Sequence, residues 1–442
     1  MIVPPPLKPN AAPHEHAAAT AGLASLAALS LVVGSAAGLV GALFRRALEA
    51  ADQQRDLLAA WAQEREWLGL IALMALCAAA TALAAWLVRR FSPAASGSGI
   101  PHVEAVLGKR VQPAPIRLIP VKFLGGWLAI GAGLALGREG PTVQMGASIA
   151  HLIGRIGRRN ADDCLTLLAA GAGAGLATAF NAPIGGAVFV IEELLRRFET
   201  RSSIATLGAS ASAIAVSRQI LGQDPDFILP ESPYPGVGAL PFFLTLGLIA
   251  GLLGVAYSRA ILGALAVGAS LTKRLPVELQ AAAIGGGVGA LAWWAPSWVG
   301  GGEALTEQTL TQLAPVPIVL AMFAVRFVLG PVSYAARTPG GLFAPLLAVG
   351  SQIGVIYGAI VGGWFPRIEA SPAAAGVVGM AAFFTAVVRA PMTGIVLVIE
   401  MTGSFKLLLP MLSACFGAMV VTTLLREPPI YDSLAVSKSG KK

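Results

Sequence analysis

The chain has 442 residues, of which 56% are hydrophobic and only 12% charged, and its net charge is +8. Soluble globular proteins carry about 25% charged residues, so a large soluble domain does not fit. The positive excess sits in clusters beside apolar segments, at Arg155–Arg158–Arg159, Arg196–Arg197–Arg201 and the tail Lys438–Lys441–Lys442. That is the pattern of cytoplasmic loops under the positive-inside rule. No basic patch is interleaved with aromatics, so no nucleic-acid partner is expected.

In chain order, a polar stretch (residues 1–16, with His14 and His16) precedes an apolar segment at about 17–48. That segment is too long and begins too late for a cleaved signal peptide, and reads as a first membrane helix. Further apolar segments fall near 67–90, 115–136, 140–156, 163–180, 183–195 and 203–221. A Pro-rich polar stretch follows, and then segments near 240–268, 278–298, 315–335, 343–364, 373–388, 390–402 and 407–425. Runs such as Ile71–Val88 are continuously apolar and do not alternate, so helices are expected and not a barrel. Several runs are shorter than the roughly 20 residues a spanning helix needs. Many are broken by Gly and Pro. Irregular backbone at membrane depth is tolerated only inside protein or along a polar cavity, so the breaks point to a transport path. Cys77, Cys164 and Cys415 are far apart, and His102 and His151 stand alone, so neither a metal nor another cofactor is expected.

The two halves of the chain resemble each other. Gly137–Gly146 (GREGPTVQMG) and Gly341–Gly350 (GLFAPLLAVG) share the frame G-x-x-x-P-x-x-x-x-G. Asn181–Glu193 (NAPIGGAVFVIEE) matches Arg389–Met401 (RAPMTGIVLVIEM) at nearly the same offset. The expected organisation is a first membrane half at 17–222, a linker at 223–238, a second half at 239–434 and a basic tail at 435–442. Transporters built from such repeats place their site where half-helix N-termini meet between the repeats.

Four stretches could start a helix inside the membrane: GSGIP (Gly97–Pro101), GREGP (Gly137–Pro141), GLFAP (Gly341–Pro345) and PPIYDSL (Pro428–Leu434). Proline suits the first helical turn, and the unpaired N–H groups of a helix start bind anions. Several converging starts would dehydrate an anion without the tight grip of a full positive charge. Ser98 would add a neutral donor or act only as an N-cap; Tyr431 would add another or be an interfacial aromatic. Glu139, a carboxylate in an apolar run, is a functional candidate by default. Where anions bind it could mimic the anion when charged and leave when protonated. Its neighbour Arg138 is either an attractor or a structural donor. Of Glu192 and Glu193, one reads as a solvated helix end and the other as a cytoplasmic proton port. Glu400 is the repeat counterpart of Glu192 and must find a donor. Lys122 reads as a buried counter-charge or an interfacial lysine.

GSGIP, GREGP followed by TVQ, GGLFAP and a late tyrosine, in that order, resemble the CLC family of chloride channels and chloride/proton antiporters, over about residues 20–434. The resemblance implies an all-α polytopic membrane protein, with two inverted halves of short, tilted and broken helices, assembled as a homodimer in lipid. It implies central anion ligands at Ser98, Tyr431 and the backbone N–H groups of Leu342 and Phe343. An outer site would use the backbone near Arg138, Glu139 and Gly140 and that of Phe343 and Ala344; an inner site would use Gly97 and Ser98. Glu139 matches the external gating glutamate and Glu193 the internal proton glutamate. Ser98 is the residue expected for chloride, and a carboxylate at Glu193 is typical of antiporters. With only eleven residues after Tyr431, a CBS pair is not expected.

The expectation is therefore chloride/proton exchange across an inner cell membrane, with both termini cytoplasmic. A passive chloride channel of the same fold is the alternative. An intramembrane hydrolase using Ser98, helped by His102 or Glu104, is a remote one; SGSGIP lacks the strand-to-helix nucleophile frame, and no enzyme is expected.

Overall fold

The computed structural model describes residues 13–227, 229, 236–312, 314–364 and 371–439, with side chains from 22 to 436. The side chains of His14, His16 and Lys438, residues Lys441 and Lys442, and most of the expected linker after Phe227 lie outside the described residues. The first half holds α1 (Pro13–Gln63), α2 (Glu66–Phe91), α3 (Ile100–Leu107), α4 (Leu118–Gly131), α5 (Glu139–Ile156), α6 (Ala161–Phe180), α7 (Pro183–Phe189) with a π-helical turn at Val190–Leu194, and α8 (Thr200–Leu221). The second half holds α9 (Leu240–Leu271), α10 (Val277–Trp294), α11 (Glu303–Thr311), α12 (Val316–Ala335), α13 (Phe343–Trp364), α14 (Pro372–Val388), α15 (Pro391–Thr402), α16 (Leu408–Leu424) and α17 (Ile430–Ser439). Among the described residues, eight helices are long and apolar enough to cross a membrane.

The sequence repeat is a structural repeat. α6 ends on Asn181 and α14 on Arg389, both left-handed, with φ of 48° and 71°. The next residues, Ala182 and Ala390, share an extended conformation, and Pro183 and Pro391 then open α7 and α15. α6 opens on Asn160, whose side chain accepts from Asp163 N, and α14 on Ser371, whose hydroxyl accepts from Ala374 N. These caps satisfy N–H groups that a helix start leaves unpaired.

α6 and α14 are apolar all round and form the centre; every residue of α14 from Ala374 to Val388 is buried. A helix that is hydrophobic on all faces belongs inside a protein or bilayer. Small residues allow the close approach. A Cβ on Gly146 of α5 would overlap the Gly171 carbonyl of α6, and one on Gly350 of α13 would meet the Gly379 carbonyl of α14 at 2.6 Å. The exposed large apolar side chains, such as Leu31, Leu76, Leu252, Val328 and Phe416, lie on the surrounding helices α1, α2, α9, α12 and α16, the faces available to lipid.

Two elements differ from the sequence reading. The helix expected to stop near residue 48 continues to Gln63. Its last turns are charged because they border an open cleft lined by Glu49, Asp52, Arg55 and Asp56, where Arg55 pairs with Asp52 and Asp56 at 2.5 and 3.3 Å. And α11, EALTEQTLT, has no apolar run to announce it; it starts after Gly302, whose φ of 101° sets the turn.

Candidate functional site

Between the two halves, the Gly-marked loops pair with each other. Gly97 N donates to Thr338 O at 3.0 Å and Gly340 N to Gly97 O at 3.2 Å. Gly137 and Gly341 exchange both N–H···O bonds, at 2.9 and 2.7 Å. These bonds bring the starts of α3, α5 and α13 to one place. Lys122 is fully buried and donates to Ala95 O and Gly97 O at 3.0 and 2.6 Å. It is buried and not interfacial, and its bonds to backbone carbonyls brace the loop that carries Ser98.

Glu139 closes this junction. Its side chain is fully buried. Oε1 accepts from Phe343 N, the first residue of α13, at 2.6 Å, while Oε2 has no hydrogen-bond partner among the described residues. The carboxylate of the first residue of α5 thus occupies the start of α13. Glycine is required on both flanks: a Cβ on Gly137 or on Gly341 would fall on the Glu139 carboxylate oxygens. Leu342, Phe343 and Ala344 are buried beside it, and the Phe343 ring is held against Phe180, Phe189, Phe384 and Tyr431 at centroid distances of 6.3, 5.8, 4.6 and 6.0 Å.

Ser98 sits between Gly97 and Gly99, whose φ values of 68° and 89° favour glycine. Ser98 Oγ and Tyr431 Oη lie close to each other, both fully buried and both without a hydrogen-bond partner. Buried hydroxyls are rarely left unpaired, so the pair marks a place for a polar guest. The start of α5 packs directly on them: a Cβ on Gly140 would lie 2.7 Å from Ser98 Oγ. The expected inner-site donors stand differently. The N–H of Gly97 is held by Thr338 O, and that of Ser98 donates to Tyr334 Oη at 3.2 Å, so what this loop offers an anion is the Ser98 hydroxyl.

Arg138 does not pair with Glu139. Its guanidinium donates to Ala179 O at 2.8 Å and to Asp226 Oδ2 at 3.3 Å, and its Nη1 forms an ion pair with Glu303 Oε2 at 2.7 Å. It is a structural donor that ties the start of α5 to α6, to the segment joining the halves and to α11. A cleft of about 610 Å³ opens over this network, lined by Gly137, Arg138, Asp226 and Glu303. Asp226 and Glu303 were invisible to the sequence reading, the one placed in a linker and the other in an unrecognised helix.

The geometry also separates Glu192 from Glu193. Glu192 accepts from Met392 N, Thr393 N and Thr393 Oγ1 at 3.0, 2.7 and 2.7 Å, so it caps the start of α15. Its repeat counterpart Glu400 accepts from Ile184 N and Gly185 N at 3.0 and 2.6 Å and caps the start of α7. This exchange of caps is what a two-fold relation between the halves produces. Glu193 is spared such duty. It is 4% exposed and its Oε1 has no hydrogen-bond partner among the described residues. Glu104 on α3, considered as a helper for Ser98, is a second buried carboxyl near it. A cavity of about 400 Å³ reaches Glu193 from the surface beside Arg196 and Pro429.

Fold and site together define a polytopic membrane protein whose two related halves aim helix starts at a buried carboxylate, the architecture of an ion-transport protein. The chain belongs to the voltage gated chloride channel family, whose pattern matches residues 80–423. It is 39% identical over 417 residues to the H(+)/Cl(-) exchange transporter ClcA of Vibrio cholerae serotype O1, covering 92% of this chain and 88% of that protein. Identity to the H(+)/Cl(-) exchange transporter ClcA of Vibrio parahaemolyticus is 37% over 421 residues, covering 93% and 89%. Among solved structures, a slow cyanobacterial Cl-/H+ antiporter superposes with a TM-score of 0.89 at 32% identity, covering 94% of this chain and 98% of that one.

Proposed function

We propose that the protein exchanges chloride for protons across a membrane, with Glu139 as both gate and proton carrier. The observation that carries this reading is the buried Glu139 carboxylate seated on the first N–H group of α13. A carboxylate there is a tethered anion, and a free anion would meet the same donor. Chloride and the charged side chain therefore exclude each other. A proton neutralises Glu139, weakens its charge-assisted hydrogen bond and lets it leave, so each departure that admits chloride loads one proton.

Chloride in the central position would be held by the hydroxyls of Ser98 and Tyr431 and by the N–H groups of Leu342 and Phe343. The outer position would use the N–H groups of Arg138, Gly140 and Ala344 at the same helix starts. Of the nearby cations, Lys122 donates to the carbonyls of Ala95 and Gly97, and Arg138 is paired with Asp226 and Glu303. That suits passage over capture. On the other side, Glu193 takes protons from the cavity beside Arg196, a cytoplasmic face in this reading, which the basic clusters support under the positive-inside rule. The protein works as a homodimer in an inner membrane, with both termini cytoplasmic.

The 39% identity to a named exchange transporter supports exchange over a passive channel, as does a buried carboxyl at Glu193 that caps no helix. The test is the reversal potential of reconstituted protein under a pH gradient. Exchange requires it to move with the proton gradient. A potential set by chloride alone would leave the passive channel.

A further inference from the structure

Arg196 stands where the π-helical turn carrying Glu193 ends. Its backbone is left-handed, with φ of 51°, a conformation disfavoured for residues with a Cβ. The bend turns its side chain back over the turn. Nε donates to the Glu193 carbonyl at 3.3 Å. The guanidinium then meets two carboxylates. Nη2 and Nη1 donate to Asp432 Oδ1 and Oδ2 at 2.8 and 3.2 Å, while Nη2 stands 3.7 Å from Glu193 Oε1. Arg196 is shared unequally: a two-pronged hydrogen-bonded pair with Asp432, and a longer ion contact with Glu193. Asp432 is the residue after Tyr431, on the first turn of α17.

We infer that Asp432 holds Arg196 off Glu193, and so sets how readily Glu193 accepts a cytoplasmic proton while tying that step to the helix that carries Tyr431. The inference deepens the exchange reading and rests on it. A guanidinium that gives both prongs of its fork to one carboxylate cannot give them to another. With Asp432 charged, the buried Glu193 keeps only a distant positive charge and can hold a proton. Without that charge, Glu193 becomes the best acceptor left for Arg196, and an ion pair at closer range favours its ionised form.

The other charged groups around Glu193 do not replace Asp432. Glu104, buried on α3 near it, is another carboxyl and forms no ion pair with Arg196 among the described residues. Glu192, on the same turn, is spent on α15. Arg389, which borders the same cavity, donates to Thr423 Oγ1 and Glu427 O at 3.1 and 2.6 Å. Arg197 pairs with Glu199 at 3.4 Å and is largely exposed. Asp432 is the acid that contests Arg196.

The test is proton flux through purified protein in proteoliposomes across a series of symmetric pH values, driven by chloride. Asp432→Asn should move the midpoint toward acid by about one pH unit, the low end of what an opposite charge at close range does to a carboxyl. Arg196→Gln should move it toward alkaline pH, and Asp432→Glu should restore the wild-type midpoint. Chloride affinity by calorimetry should be unchanged in Asp432→Asn, which shows that the variant is folded and its anion site intact. A wild-type midpoint in Asp432→Asn would overturn the inference. So would an equal shift in the pH profile of chloride flux when Asp432→Asn is placed on Glu193→Gln, because the effect would then not pass through Glu193. If the wild-type protein carries chloride but no protons, the exchange reading fails first and this inference falls with it.

Discussion

Replacing Glu192 tests whether the geometry has sorted the two adjacent glutamates correctly. Glu192→Ala removes the acceptor of three hydrogen bonds at the start of α15. A hydrogen bond to a charged group contributes about 1.5–3 kcal/mol, and loss of a helix N-cap costs about 0.5–2 kcal/mol. The three bonds share one carboxylate and Met392 is open to its surroundings, so they do not add in full. A loss of about 2–3 kcal/mol follows, and Glu192→Gln, which keeps one acceptor oxygen, should lose about half of that. Glu400→Ala removes two bonds at the start of α7 and should lose about 2 kcal/mol. Both carboxylates sit where α7 and α15 cross, so the double variant should lose less than the sum. Thermal unfolding in detergent, read as loss of the native size-exclusion peak, measures all four. Proton flux in Glu192→Gln should stay near wild type. An unchanged midpoint in Glu192→Ala, or loss of proton flux in Glu192→Gln, would refute the assignment of Glu192 as a cap.

Three further outcomes follow from the site. Glu139→Gln should abolish proton flux and leave chloride permeable, because the neutral side chain no longer competes as an anion; pH-driven chloride uptake that persists would contradict this. Glu193→Gln should stop proton movement and spare chloride flux by at least the greater part; continued proton flux would make Glu192 or water the port. Gly341→Ala puts a methyl group where Glu139 Oε1 lies, so Glu139 should be driven from its seat and chloride should leak without protons. Tight coupling in Gly341→Ala, in a protein that still elutes normally, would mean that the carboxylate does not work from that position.

The helix starts were legible because Gly and Pro are spent in only a few ways within an apolar chain. GREGP and GLFAP declared the same frame twice, and the NAP and RAP stretches, matched as a repeat, prove to begin on left-handed caps at Asn181 and Arg389. What could not be read was partnership across the fold. Arg138 beside Glu139 looked like a charge pair, yet adjacent helical residues diverge, and its partners come from residues 226 and 303. α11 escaped because its partly polar sequence has no apolar run, although its Leu305 and Leu310 are buried. Glu192 and Glu193 are chemically identical in the sequence. Only the neighbouring start of α15 on one side, and Glu104 on the other, assigns them different work. Asp432 and Arg196, more than 200 residues apart, read as ordinary surface charges until α17 folds back over the π-helical turn.

The central claim is that chloride and proton movements are locked together through Glu139. It is tested most directly by concentrative transport: purified protein in sealed vesicles, an outward chloride gradient, equal pH on both sides, and a proton-sensitive electrode. Chloride leaving should drive protons inward against their own developing gradient, and a protonophore should collapse the gradient. Chloride efflux with no proton movement would contradict the account at its root.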